Sequence, residues 1–181
     1  MGILTLINTM TAAGDDYLID TSSMTSAYDE YMFVMTDMNP ATDQTNLLFQ
    51  VNADGAADYN ETITSTFARS YNQENDGGVD GPDYVTAADQ SQGTAFQYLS
   101  EGSQAGNAAD ESLAGVLHIF SPASTTYMKH FYATVNEHRY SGAISYAWIT
   151  GYINTTAAIT DIQFKMASGA MDGVIQVYGI S

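Results

Sequence analysis

The sequence predicts an all-β fold: a single-domain antiparallel β-sandwich of the jelly-roll type over residues 1–181. Three observations lead to this prediction. The chain has 13 Tyr and 7 Phe but only 3 Pro, and aromatic residues suit the half-buried surface of a sheet. Short apolar–polar alternations recur between turn-forming residues. No window of about eleven residues carries the apolar stripe of a helix.

The predicted strands are short and follow one another closely, as in a sandwich or jelly roll. Residues 1–25 are expected to form N-terminal strands or an arm, with weak strands at 3–7 and 17–20. The last two strands are predicted to pair as a terminal hairpin around Ser168 and Gly169. Together with the main strands, these make about eight to eleven strands. The main strands are predicted at 31–35, 46–51, 62–71, 95–99, 116–120, 127–135, 143–153, 159–166 and 174–180.

Residues 73–93 differ from the strands because Gly and Asp replace apolar residues there. We expect a long, exposed acidic loop that is dispensable for folding. A second loop of small residues is expected at 101–112.

The net charge restricts the classes of partner. Four Lys and Arg residues oppose 21 Asp and Glu residues, which gives −17, so nucleic acid and anionic membranes are excluded as partners by repulsion. Neutral surfaces, such as a sugar or another protein, and cationic partners remain. The chain has no Cys, which removes thiolate chemistry. Its start has no basic residue before a short apolar run, so no signal peptide is expected.

One segment has the composition of a metal site. Asp76, Asp80 and Asp83 lie on a Gly-rich stretch, and carboxylates on such a loop suit Ca²⁺. The pattern fails as an EF-hand because Gly78 occupies the third ligand position and no Glu closes the loop. We therefore favour a solvated acidic loop and predict no metal and no cofactor.

No other pattern indicates catalysis, and the chain is predicted not to be an enzyme. His118 is interpreted as a hydrogen-bonded structural residue. Strand alternation does not bring His130 and His138 together without a turn, so a metal pair there is disfavoured. No nucleophile, phosphate-binding or zinc motif occurs. Paired carboxylates for glycoside hydrolysis stay open, because such a pair needs only spatial proximity. Trp148 and the tyrosines would either fill the core or form a platform for a sugar.

The end of the chain resembles the C-terminal segment of a family of tailed-phage structural proteins. In that family an I-x-x-I-x-F strand, a Gly-containing turn and a G-x-I-x-[LV]-Y-G strand close the domain, as in residues 159–180 here. The similarity extends over about 26–181 in order and spacing. The other matching segments are 26–31, 39–43, 115–122 and 151–159.

The resemblance implies a jelly-roll sandwich on the virion, with no catalytic residues. Its members decorate the capsid surface or belong to fibres, and they are often trimers. We therefore expect a capsid decoration (cement) protein that forms a homotrimer and binds the phage major capsid protein. Tyr178 is expected to pack and Gly179 to permit a close approach. A carbohydrate- or receptor-binding module of a tail fibre is the alternative, so head or tail location and a glycan partner stay open.

Overall fold

The computed structural model describes residues 3–55, 57–75, 77–102 and 104–181. Within these ranges the chain forms twelve β-strands and no helix. Accordingly, no helix able to cross a bilayer is found in the described part of the chain. The strands are β1 (Leu4–Asp15), β2 (Tyr17–Asp20), β3 (Glu30–Pro40), β4 (Leu47–Ala53), β5 (Ile63–Gln73), β6 (Val79–Tyr84), β7 (Gln97–Tyr98), β8 (Leu113–Phe120), β9 (Lys129–Arg139), β10 (Ala143–Ile153), β11 (Ile159–Met166) and β12 (Met171–Ile180).

Two antiparallel sheets pack as a sandwich, so the predicted fold class is confirmed. The large sheet has the strand order β1-β12-β3-β8-β9-β10-β5-β6. The small sheet has the order β2-β11-β4-β7. Strands β1 and β6 therefore lie at the two edges of the large sheet.

Period-2 alternation places one side of each strand in the core. In β9, Phe131 and Val135 are buried, whereas Tyr132 points away from the core and is exposed. Aromatic rings from both sheets meet between the layers. Phe49 of the small sheet lies edge-on to Phe131 of the large sheet, with 5.2 Å between the ring centroids. Burying a Phe side chain contributes about 1.5–3 kcal/mol, so these rings are principal contributors to the sandwich.

The predicted terminal hairpin is wrong. Strand β11 pairs with β2 and β4 in the small sheet, whereas β12 pairs with β1 and β3 in the large sheet. Both strands bury alternate apolar residues, Phe164 in β11 and Val177 in β12. Because each needs cover for its apolar side, the two strands occupy opposite layers of the core.

The segment at 73–93 also differs from a free loop. Most of its described residues from Gly77 onward are exposed, but β6 pairs with β5 and extends the large sheet. After β6, the backbone N–H of Val85 donates to the carbonyl of Phe67 at 2.9 Å. The buried Ala88 then accepts a hydrogen bond from the side chain of Gln97 at 3.0 Å. The segment is thus exposed but anchored.

Candidate binding surfaces and a buried charge cluster

The outer side of the large sheet carries a group of aromatic side chains. Trp148 and Tyr132 are each 39% exposed. Tyr146 lies edge-on to Trp148, with 4.5 Å between the ring centroids, and Tyr132 stacks on His118 at 4.5 Å. We call the outward-facing side of β5, β8, β9 and β10 the outer aromatic face. The single Trp of the chain is therefore a surface residue and does not fill the core.

The outer aromatic face is free of charged side chains other than histidine. None of the outward-facing residues of these four strands is Asp, Glu, Lys or Arg. Between the rings stand small polar residues, including Thr64 and Thr66 on β5 and Thr150 on β10. In a chain of net charge −17, such a surface is suited to a neutral partner.

A shallow hollow of about 260 Å³ lies within this face. Its outward-facing lining residues are Thr64, Thr66, His130, Thr150 and Tyr152. The hydroxyl of Thr64 accepts a hydrogen bond from the side chain of Gln92 at 2.6 Å. The side-chain oxygen Oε1 of Gln92 in turn accepts one from the side-chain amide of Asn154 at 2.7 Å. This hydrogen-bonded chain holds one side of the hollow in place.

The opposite edge of the large sheet is aliphatic. Ile3, Leu4, Leu6 and Ile7 are 70%, 50%, 51% and 37% exposed, respectively; we call these four residues the aliphatic edge. Strand β1 is the outermost strand and pairs with β12 on one side. Its other side presents backbone N–H and C=O groups that have no neighbouring strand in the sheet, which is a template for pairing with another chain.

The three histidines lie at separate places. His118 is buried, and its Nδ1 lies 2.5 Å from Oε1 of Glu30, in agreement with a structural role. His130 and His138 share one side of β9 but are about 26 Å apart along the strand. His138 faces Glu74 at 3.1 Å and Glu111 at 3.5 Å.

The acidic segment shows no metal site in its described part. Asp76 lies outside the described residues. The backbone of Asp80 is paired with Tyr71, and the Asp83 carboxylate lies 3.8 Å from the guanidinium of Arg69. Over the described ranges, no group of three or more His, Cys, Asp or Glu side chains is arranged to hold a metal ion.

Charged residues gather inside one end of the sandwich. The carboxylate of Glu101 accepts a hydrogen bond from Arg69 at 2.6 Å and lies 3.5 Å from Arg139. Both guanidinium groups also lie about 5 Å from the Tyr71 ring, within cation–π range. We call Arg69, Glu101, Glu137 and Arg139 the buried charge cluster.

Glu137 is the most perturbed member of this cluster. Glu137 is only 2% exposed. Burial and, to a smaller extent, repulsion by the Glu101 charge raise the pKa of its carboxyl group to about 7. The Arg139 charge and the nearby Ser100 hydroxyl oppose the shift. Among the described residues, neither carboxylate oxygen finds a partner in good hydrogen-bond geometry. Such a pKa suits a general acid, but the group is enclosed in the core and not presented to a substrate.

The sequence indicates part of this cluster through strand alternation, because residues two positions apart on a strand face the same side. Arg69 and Glu137 have the same parity as their buried neighbours Phe67 and Val135. Inward-facing charges on two strands imply a common partner. That partner, Glu101, comes from a predicted loop, and no periodicity identifies it.

All four Lys and Arg residues are engaged within the fold. Besides the two arginines, Lys129 is fully buried and donates from Nζ to the carbonyl of Thr155 at 3.2 Å. Burial lowers the pKa of Lys129. Lys165 lies over the Phe96 ring at 4.0 Å. Carboxylates, by contrast, line an open hollow of about 690 Å³ formed in part by Asp37 and Asp172.

Comparison with known proteins identifies no relative: no family model, no curated protein and no solved structure matches the chain.

Proposed function

We propose that the chain is a non-enzymatic structural protein of a tailed-phage virion: a capsid decoration protein that binds the major capsid protein as a homotrimer. The observation that carries the proposal is the aliphatic edge, an exposed apolar surface on an unpaired strand edge. The resemblance of residues 26–181 to phage structural proteins supports the virion location. A decoration protein needs contact area and no catalytic group.

The aliphatic edge has the properties of an assembly contact. Residues 3–14 contain no charged side chain, although the whole chain carries −17. Native edge strands are usually blunted by Lys, Pro or a covering segment. Strand β1 has neither Lys nor Pro, and its pairing with β12 is irregular at two places, between Leu6 and Asn8 and between Ala13 and Asp15.

The partner at this edge is a second copy of the chain. Closed rotational symmetry lets every subunit bury the same surface and leaves no edge open. Identical subunits repel one another through their charge, so apolar burial by Leu4 and Leu6 has to outweigh that repulsion. The number three rests on the resemblance, because no residue spacing selects it over two.

Assembly and capsid binding are coupled by multivalency. A trimer that contacts the shell at three points gains effective concentration for the second and third contacts. A monomer loses this gain even when its own contact is intact. Breaking the aliphatic edge should therefore weaken decoration.

The test is binding to purified capsids that lack this protein, followed by sedimentation. Wild type should bind saturably, and Leu6→Lys should bind at least about tenfold more weakly because it loses avidity. Ile144→Lys is the matched control, since Ile144 is similarly exposed (48% against 51%) but lies on β10. Absence of wild-type binding would refute the decoration function. Equal binding by Leu6→Lys would refute the role of the edge.

A receptor-binding module of a tail fibre is the second candidate, and the outer aromatic face favours it. Surface Trp and Tyr side chains are typical of recognition sites. The position of the chain in density of an intact particle separates the two functions. Density on the head supports decoration, and density on a fibre supports receptor binding.

A further inference from the structure

We propose that the hollow on the outer aromatic face binds a neutral saccharide. This inference goes beyond the proposed capsid role and uses a different surface from the aliphatic edge. The ligand class follows from three features of the hollow: the aromatic side chains in and beside it, its hydroxyl lining and its lack of Asp, Glu, Lys and Arg side chains.

One tyrosine ring lines the hollow, and two further aromatic side chains neighbour one of its lining residues, Thr150. Tyr152 lines it directly. Trp148 and Tyr152 flank Thr150 on the same side of β10, and Tyr132 is the register partner of Thr150 on β9. The apolar faces of sugar rings pack on such side chains, which offer large rigid contact area together with a polar tip.

Hydroxyl groups form the floor. Thr64, Thr66 and Thr150 project from two adjacent strands, since Thr66 is paired with Thr150. Hydroxyls both donate and accept hydrogen bonds, and so do the hydroxyls of a saccharide. The volume of about 260 Å³ is near the lower end of small-molecule sites, about 300 Å³, which fits a single sugar ring.

Charge restricts the saccharide to a neutral one. The face itself carries no Lys or Arg, and all four such side chains are engaged in contacts elsewhere in the fold. A sialylated or sulfated sugar would meet a protein of net charge −17 with no Lys or Arg side chain on this face to neutralise it.

The single Trp provides a direct readout. Trp148 is the only Trp; it is exposed and faces the same side of β10 as the lining residue Thr150, two positions away. We therefore expect a sugar bound in the hollow to change its fluorescence. We would titrate the full chain with neutral oligosaccharides built from glucose, galactose, mannose and N-acetylglucosamine. Sialylated and sulfated oligosaccharides serve as the anionic set. At least one neutral oligosaccharide should give a saturable shift, and the anionic set should give none.

Two substitutions locate the binding site. Tyr152→Ala removes a ring, and Thr66→Val removes a hydroxyl while keeping the shape. Each substitution should lower the affinity for the neutral sugar by up to about tenfold, the contribution of one stacking or hydrogen-bonding contact. Tyr17→Ala is the control, since Tyr17 is also exposed (53%) but belongs to the small sheet. Thermal unfolding of each variant verifies that it is folded.

Three outcomes would overturn the proposal. One is no fluorescence change with any neutral oligosaccharide. Another is equal binding of neutral and anionic sugars. The third is a shift that Tyr152→Ala and Thr66→Val leave unchanged, which would place the sugar outside the hollow. Capsid binding by the same preparation is independent of these outcomes, so failure here leaves the decoration function standing.

Discussion

The carboxyl group of Glu137 links proton binding to folding. Its pKa is about 7 in the folded chain and 4.5 for the unperturbed group, so the folded state binds the proton more tightly than the unfolded state. The contribution of Glu137 to the free energy of unfolding is therefore constant below pH 4.5. It falls as the pH rises through the interval from 4.5 to about 7. Above that interval the loss is up to about 3 kcal/mol, since each pKa unit corresponds to about 1.4 kcal/mol.

Glu137→Gln should remove this penalty because Gln cannot ionise. We expect the variant to unfold at a higher temperature than wild type at pH 8 and to have no such advantage at pH 4. Glu74→Gln is the control, since the Glu74 side chain is 66% exposed. The measurement is the melting temperature of all three proteins at both pH values. An equal effect of Glu137→Gln at both pH values would contradict the assignment.

Position 179 requires glycine because the backbone there lies against an aromatic ring, which leaves no room for a Cβ. A Cβ added at this position would lie 2.4 Å from carbon atoms of the Tyr28 ring, so Gly179→Ala forces the ring or the strand to move. We expect a loss of about 1–3 kcal/mol, the usual cost of overpacking. Gly81→Ala, which meets open space, should change little. Urea unfolding compares the two, and equal stability of both variants would refute the close approach.

At the level of elements, Glu101 fastens the connection between β7 and β8 to the large sheet. Removing its carboxylate takes the opposing charge of this residue away from the buried Arg139 and from the partly buried Arg69. Breaking one side of a buried ion pair costs about 3–5 kcal/mol, so Glu101→Ala should lower the free energy of unfolding by an amount of that order. Denaturant titration measures it. A loss below about 1 kcal/mol would show that the cluster is solvated.

The segment after Gly78 is expected to contribute to stability. Deleting residues 79–93 removes β6 and exposes the hydrogen-bonding edge of β5. It also removes the pair of backbone bonds between Ile63 and Gly93, at 2.7 and 3.0 Å. The unfolding midpoint should fall by more than the few degrees expected for shortening an unstructured loop. An unchanged midpoint would favour the dispensable loop that the sequence predicts.

Strong alternation allowed prediction of some strands, and tertiary pairing decided the others. The bounds predicted for β10 and β11 agree with the structure, because buried residues recur at every second position through most of both strands. Strand β1 continues to Asp15 through the small residues Ala12, Ala13 and Gly14, where pairing with β12 outweighs weak strand propensity. The Gly- and Asp-rich β6 forms for the same reason against β5.

The candidate sites were less predictable, because they depend on which strands become neighbours. The sequence left open whether Trp148 fills the core or forms a platform. The outward parity of β10 decides that question, since Ala147 and Ile149 are buried on either side of the Trp. The hollow joins β5, β9 and β10, and local pattern does not predict that order of strands.

At the scale of the whole molecule, charge is separated from the contact surfaces. The four Lys and Arg side chains are engaged in contacts within the fold, and the outer aromatic face and aliphatic edge carry no Asp, Glu, Lys or Arg. Acidic side chains such as Asp37 and Asp172 line an open hollow. Association through the aliphatic edge therefore buries apolar groups while the net −17 of each subunit opposes it. Added salt screens that repulsion, since the Debye length falls from about 10 Å at 0.1 M to about 3 Å at 1 M.

Light scattering of the purified protein at low and high salt tests assembly through the aliphatic edge most directly. We predict a trimer that persists or strengthens at high salt, whereas Leu6→Lys is a monomer and Ile144→Lys remains a trimer. An oligomer that dissociates in high salt would show that charge pairs hold it. A wild-type monomer at both salt concentrations would contradict the account and favour a standalone sugar-binding module.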